Sequence, residues 1–327
     1  MVCKDKSLVC KLCSMVRIIL STICLVLVFS SCDLYSHTEK KIIKEYTRSG
    51  LTLNQLKLSQ STAEYWDNEK NAPVLVVIHG FGASTKYQWR DQLQDLTESH
   101  RVIMPNLLHF GHSSTDSALF SIQDQVDFIG ELLDSLEIET YSLIGASYGG
   151  LVSIETAQQD SANVRSVLLL DPAVKFIQYK DTLEICKKFD VPSMGELFVP
   201  SQPAGMSKLI HVANGKKKWV PKFAFKAFHP AFYAYKQSEK RHLVGRLMED
   251  QKIYAKRDYS GIKELTIVCG ERDLIIPPER MKMLQDHIGG ETRLYIIPKG
   301  GHMPNMNKAK EFNKILRNFL LRDIELH

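Results

Sequence analysis

One hexapeptide near the middle of the chain constrains its fold more than any other feature. Gly145-Ala146-Ser147-Tyr148-Gly149-Gly150 follows the apolar run Tyr141–Ile144 and leads into a helical pattern over Tyr148–Gln159. A serine on so abrupt a strand-to-helix turn is pushed into a strained backbone conformation. Its neighbours must be small, which Gly145 and Gly149 provide. Such a turn belongs at the carboxyl end of a strand in a sheet covered by helices, so the rest of the chain should alternate strand and helix.

It does. Leu51–Leu58 and Ser61–Asp67 read as a hairpin, and Val74–Ile78, five apolar residues rich in β-branching, as a strand buried on both faces. Further strands are expected at Arg101–Met104, Tyr141–Ile144, Ser166–Leu170, Leu265–Cys269 and Leu294–Ile297. Between and after them, helices are expected at Thr85–Ser99, Ser121–Leu136, Tyr148–Gln159, Pro278–His287 and Lys308–Leu321. The pattern predicts an α/β fold with a mostly parallel eight-stranded sheet flanked by helices. The core would comprise 51–171 and 260–327. Alternation fails over 172–259, which reads as a helical cap inserted after the sixth strand, above the edge where open α/β sheets bind ligands.

A serine hydroxyl at neutral pH is a poor nucleophile. It needs a base within hydrogen-bond reach and an acid to orient that base. His302, in Gly300-Gly301-His302-Met303, follows the last expected strand, and Asp273, in Gly270-Glu271-Arg272-Asp273, follows the one before it. Ser147, Asp273 and His302 therefore occupy three strand ends in the order nucleophile, acid, base. His109 and His112 compete for the base, and Asp171, which ends the sixth strand, competes for the acid. Glu271 reads as solvated. Acyl transfer places negative charge on a carbonyl oxygen, which backbone amides can hold. The loop His79-Gly80-Phe81-Gly82 after the third strand offers the Phe81 amide, and Tyr148 offers the second. His79 reads as a structural hydrogen-bonding group.

These residues together resemble the α/β-hydrolase superfamily over roughly residues 50–322. His79-Gly80-Phe81-Gly82-Ala83-Ser84, Pro105–Gly111, the serine hexapeptide and Gly301-His302-Met303-Pro304-Asn305-Met306 are similar to monoacylglycerol-lipase-like members and their plant relatives. The resemblance implies hydrolysis of a carboxylic ester, with an acyl ester or acylglycerol as substrate and no metal or organic cofactor. Asn106 stands where relatives often have Asp and is not assigned to catalysis. Phe223, Phe225, Phe228, Phe232, Tyr233 and Tyr235 crowd into the cap, either as an acyl-chain pocket or membrane-facing lid, or as packing between cap and sheet.

The first 32 residues read as a targeting segment. A cationic stretch ends at Arg17, an apolar run spans Ile18–Phe29, and Ser30-Ser31-Cys32 follows. Twelve residues rise about 18 Å as a helix, short of the roughly 30 Å hydrocarbon core. The run therefore fits a signal-peptide core ending in a lipobox, with Cys32 lipidated and the protein exported to a membrane. An uncleaved signal anchor is the alternative. Residues 33–50 then read as a tether, with 33–48 also suited to a short helix. With the signal removed, Cys186 and Cys269 remain in the body. They read as buried free thiols, with a disulfide between them in an exported protein as the alternative, and nothing in their spacing suggests a metal site.

The net charge of +5 falls to +2 without residues 1–31, too little to argue for nucleic acid. Lys216-Lys217-Lys218 reads as a solvated loop, and the body as a monomer. Two other functions fit the same residues: hydrolysis of a C–C bond in a diketone, and a non-catalytic ligand-binding protein on the same fold. A dehalogenase of this fold would need Asp at position 147.

Overall fold

The computed structural model describes residues 34–174 and 179–326. The expected targeting segment, with Cys32, lies outside them. Among the described residues, no helix is long and apolar enough to cross a membrane.

Nine strands form one sheet in the order β1-β2-β4-β3-β6-β7-β8-β9, with the two-residue strand β5 paired to β2. They are β1 (Thr52–Lys57), β2 (Ser61–Asp67), β3 (Val74–Ile78), β4 (Arg101–Pro105), β5 (Ser114–Thr115), β6 (Tyr141–Ala146), β7 (Val164–Leu170), β8 (Leu265–Gly270) and β9 (Arg293–Ile297). From β4 to β9 every neighbouring pair on this path is parallel, while β1 and β2 form an antiparallel hairpin at one edge. The eight expected strands are all present; the bridge at β5 is additional.

Side-chain alternation divides the core into two layers, one on each face of the sheet. Val76, Ile78, Leu143, Val167, Leu169 and Ile267 belong to one. Leu75, Val77, Ile144, Leu168, Leu170 and Val268 belong to the other. The first layer receives α4 (Ile122–Ser135), α5 (Tyr148–Gln159) and α11 (Pro278–Ile288); the second receives α1 (34–48), α3 (Leu93–Ser99) and α13 (Ala309–Glu325). The stretch expected as one helix over Thr85–Ser99 is divided into α2 (Thr85–Gln88), a 3-10 turn at Arg90–Gln92 and α3. Helix α4 begins with a reciprocal cap: Ser121 Oγ accepts from the Asp124 amide at 3.1 Å, and Asp124 accepts from the Ser121 amide at 2.7 Å.

Residues 34–48 are not a free tether. They form α1, and Ile42 and Tyr46, four residues apart, are buried against Trp66 and the sheet. An i, i+4 apolar pair on an otherwise charged helix is enough to dock it.

Between β7 and β8 the described chain is helical: α6 (Tyr179–Phe189), α7 (Met194–Phe198), α8 (Met206–Asn214), α9 (Lys222–His229) and α10 (Gln237–Tyr254), with a π-helical turn at Pro230–Ala234. Met206, Phe225 and Tyr233 form a small core of their own within this segment. The short α12 (Pro304–Asn307) follows β9.

Candidate active site

The site lies where the sheet changes direction. Chain order runs outward from β3 to β4, then crosses over β3 to β6 on its other side. Ile78 pairs with Gly145, so the turns after β3 and β6 leave the sheet side by side at its carboxyl edge.

Ser147 occupies the turn after β6 with φ 51° and ψ −113°, a region that non-glycine residues rarely adopt. The turn is held by the Ser147 amide donating to Leu170 O at 2.7 Å and the Ala173 amide donating to Ser147 O at 3.1 Å. There is no room for side chains on either flank. A Cβ at position 145 would stand 2.2 Å from Ser153 Oγ, and one at 149 would stand 2.3 Å from His79 O.

His302 joins the strand ends. Its Nε2 is 2.7 Å from Ser147 Oγ, and its Nδ1 is 2.7 Å from Asp273 Oδ2. Asp273 Oδ1 accepts the amides of Ile275 at 2.7 Å and Ile276 at 3.0 Å, which leaves Oδ2 to the imidazole. His302 and Asp273 are buried, and Ser147 is half-buried. An acceptor-only carboxylate at Nδ1 fixes the proton there and turns the Nε2 lone pair toward the hydroxyl.

The amides of Phe81 and Tyr148 have no hydrogen-bond acceptor among the described residues. Tyr148 opens α5, where an N–H has no carbonyl one turn back. The loop after β3 is clamped by Gln88, whose Oε1 accepts the Gly80 amide at 2.7 Å while Nε2 donates to Gly80 O at 2.9 Å. Asn305 Nδ2 donates to Gln88 O at 2.8 Å and so ties the His302 segment to the same clamp. Neither glutamine nor asparagine stood out in the sequence, because each acts through the backbone of a distant loop.

The competing residues lie elsewhere. His79 is fully buried; it accepts the Leu107 amide at Nε2 and donates from Nδ1 to Gly80 O. Burial lowers its pKa to about 4, so it is a neutral strut between loops. His109 bonds Leu119 O and stacks on Phe120, and His112 is exposed. Glu271 is exposed and accepts the Lys299 amide. Asn106 supports the Thr85 amide and Glu64. Asp171 is different. It is wholly buried, and one oxygen of its carboxyl, one of Asp273 and a ring nitrogen of His302 all lie within 4.8 Å of one another. Burial, then the neighbouring Asp273 charge, push its pKa well above the usual carboxylate range. A metal ion would find little here, since Asp273 and His302 already spend their lone pairs and protons on each other and on amides.

Beside Ser147 lies an apolar cavity of about 40 Å³, walled by Ile185, Met194, Phe198, Leu247 and Met248 from the cap and by Ile275 and Ile276 from the sheet edge. None of the six clustered cap aromatics reaches it. Phe225 and Tyr233 are buried in the cap's own core, Phe228 and Phe232 pack against Tyr35, and Phe223 and Tyr235 are exposed.

Known proteins share this fold. The family model described as "Alpha/beta hydrolase family" matches residues 75–315. The 2-hydroxymuconate semialdehyde hydrolase of Pseudomonas sp. (strain CF600) is 26% identical over 258 residues, covering 75% of this chain and 86% of its own. Among solved structures, a bacterial membrane phospholipase A is similar with a TM-score of 0.75 at 18% identity, covering 96% of this chain and 98% of its own. The meta-cleavage product hydrolase of Pseudomonas fluorescens IP01 gives 0.70 at 20% identity, covering 82% and 97%. The matched span runs from β3 into the first half of α13 and includes every residue of the hydrogen-bonded chain at the strand ends; the protein belongs to the alpha/beta hydrolase family.

Proposed function

We propose that the protein is a serine hydrolase that cleaves a carboxylic ester by two-step acyl transfer. The observation that carries this reading is the continuous relay Ser147–His302–Asp273, with both links at 2.7 Å. Ser147 Oγ attacks the ester carbonyl as His302 Nε2 takes its proton, and the amides of Phe81 and Tyr148 receive the charge that develops on the carbonyl oxygen. The imidazolium, held by Asp273, protonates the departing alcohol. Water then enters, gives its proton to His302 and releases the acid from Ser147. The apolar cavity supports an acyl rather than a polar group on the carbonyl side, and the resemblance to monoacylglycerol-lipase-like members favours an acylglycerol or a simple acyl ester.

A second reading keeps the relay and changes the bond. The similarity to 2-hydroxymuconate semialdehyde hydrolase favours cleavage of a C–C bond next to a carbonyl. Short-chain p-nitrophenyl esters and a 2-hydroxy-6-oxo-dienoate, offered side by side, separate the two by which kcat/KM is larger. In either case Ser147→Ala should lower turnover by about 10⁴-fold or more, and a fluorophosphonate should label Ser147. Equal turnover in the two proteins would refute the hydrolase; absence of labelling together with tight ligand binding would favour a binding protein.

We also propose that Cys32 is lipidated and holds the protein at a membrane. The support is the cationic stretch, apolar run and small residues that precede it. Mass spectrometry of the mature N-terminus tests this, and an intact Met1 overturns it.

A further inference from the structure

Charge in the cap is one-sided. Residues 197–238 contain seven lysines and not one Asp or Glu. Five of those lysines, at 216, 217, 218, 222 and 226, are exposed, and among the described residues none of the five pairs with a carboxylate. Lys216 and Lys218 also wall a recess of about 180 Å³ together with Arg272, Lys299 and Lys308, of which Lys308 lies 3.6 Å from Glu311.

In the middle of this basic surface stand two large apolar side chains without cover. Trp219 is 87% exposed and Phe223 49%. The other tryptophans, Trp66 and Trp89, are at 2% and 0%. An unpacked indole amid lysines is costly in water. At a lipid headgroup layer it is favourable, because the ring enters the interface while lysines meet anionic phosphates. A position in the chain adds a second argument. Phe228, at the end of α9, packs on Tyr35 with ring centroids 5.8 Å apart. Tyr35 lies three residues after Cys32, so the chain enters the body beside the helix that carries Phe223. The eight residues of α9 span only about 12 Å.

We propose that segment 215–226 docks the protein on an anionic lipid surface, with Trp219 and Phe223 entering the headgroup layer and the lysines contacting phosphate. The inference does not depend on which bond the active site cleaves. It replaces the reading of Lys216–Lys218 as a merely solvated loop. An acidic protein would match the charge but leaves the uncovered Trp219 and the nearby chain entry unexplained.

The test uses the full chain, because Trp219 reports on itself: the other two tryptophans are buried and beyond the reach of lipid. The protein is mixed with vesicles of phosphatidylcholine, or of phosphatidylcholine and phosphatidylglycerol, each also made with brominated acyl chains. In the anionic vesicles the exposed tryptophan emission should shift to the blue and be quenched by bromine. About 1 M salt, which shortens screening to roughly 3 Å, should reverse both effects. Trp219→Phe should abolish them, and replacing Lys216, Lys217 and Lys218 by Gln should remove most of the response while leaving hydrolysis of a soluble short-chain ester unchanged. An unshifted, unquenched Trp219 in protein that nevertheless sediments with anionic vesicles would overturn the proposal. So would equal quenching by neutral vesicles, or a shift produced by polyglutamate and not by lipid.

Discussion

Asp171 and Asp273 present buried carboxyls to each other, and Asp171 Oδ2 has no hydrogen-bond donor. Two carboxylates so close and so dry cannot both be charged. Asp273 receives two amides and the imidazole; Asp171 receives only the Gly270 amide, at 3.2 Å. The charge therefore belongs to Asp273 and the proton to Asp171. Asp171→Asn, which keeps the shape and the neutrality, should leave kcat/KM within a small factor of the parent. Asp273→Asn should reduce kcat by about 10⁴-fold. Steady-state kinetics on one ester checks both, and comparable losses would contradict the assignment.

The same pair makes a prediction about stability. The folded pKa of Asp171 is raised, so the folded chain holds a proton that the unfolded chain releases. Below about pH 4 both states are protonated and nothing is lost. As pH rises above that value toward the raised folded pKa, folding forfeits about 1.4 kcal/mol per pH unit. Asp171→Asn has no proton to release, so its advantage in Tm over the parent should widen as pH rises. Parallel thermal melts across that range measure it, and a constant gap would disprove it.

At the opposite end of the sheet Asp323 on α13 is 1% exposed and accepts from His100 on one oxygen and from Ser142 and Ser166 on the other. Burial alone would raise its pKa, but the bonds from His100, Ser142 and Ser166 outweigh it and lower it. Its contribution is therefore present above the ordinary pKa near 3.8 and disappears as pH falls through the lowered folded value. Asp323→Ala strands three buried partners and should cost about 3 kcal/mol, a Tm loss of roughly 5–10 °C at neutral pH. The gap to the parent should close in acid.

Met194, Val244, Met248 and Thr182 stand between the cavity at Ser147 and an open groove of about 490 Å³ on the cap surface. Methionine yields easily to repacking. Shortening this wall with Met194→Ala or Met248→Ala should join the two spaces and raise the ratio of long-chain to short-chain ester kcat/KM about tenfold, since each methylene accommodated is worth roughly 1 kcal/mol. Chain-length profiles of the variants decide, with circular dichroism to confirm folding.

Much of this was legible without coordinates because it is local. Gly145 to Gly150 encodes its own turn, and His302 and Asp273 are located by strand order alone. The clustered cap aromatics stayed open between pocket, lid and packing because composition does not say which way a ring faces: Phe225 and Tyr233 build a separate small core, Phe228 and Phe232 a seam against Tyr35, and Phe223 and Tyr235 are exposed. The actual pocket wall draws Ile185, Met194, Phe198, Leu247 and Met248 from three helices, and no spacing along the chain marks such a set. The docking of α1 on the sheet was hidden for a related reason. Only Ile42 and Tyr46 turn toward the sheet, and a lysine-rich surround masked them.

A space of about 40 Å³ next to Ser147 holds roughly one water molecule, far less than any ester the chemistry could use. Ser147 is half-buried and the space beside it is partly open, so under the proposed mechanism a longer acyl chain needs α6, α7 and α10 to move apart. Admission, rather than bond breaking, would then govern speed, and thickening the solvent should slow good substrates while sparing poor ones.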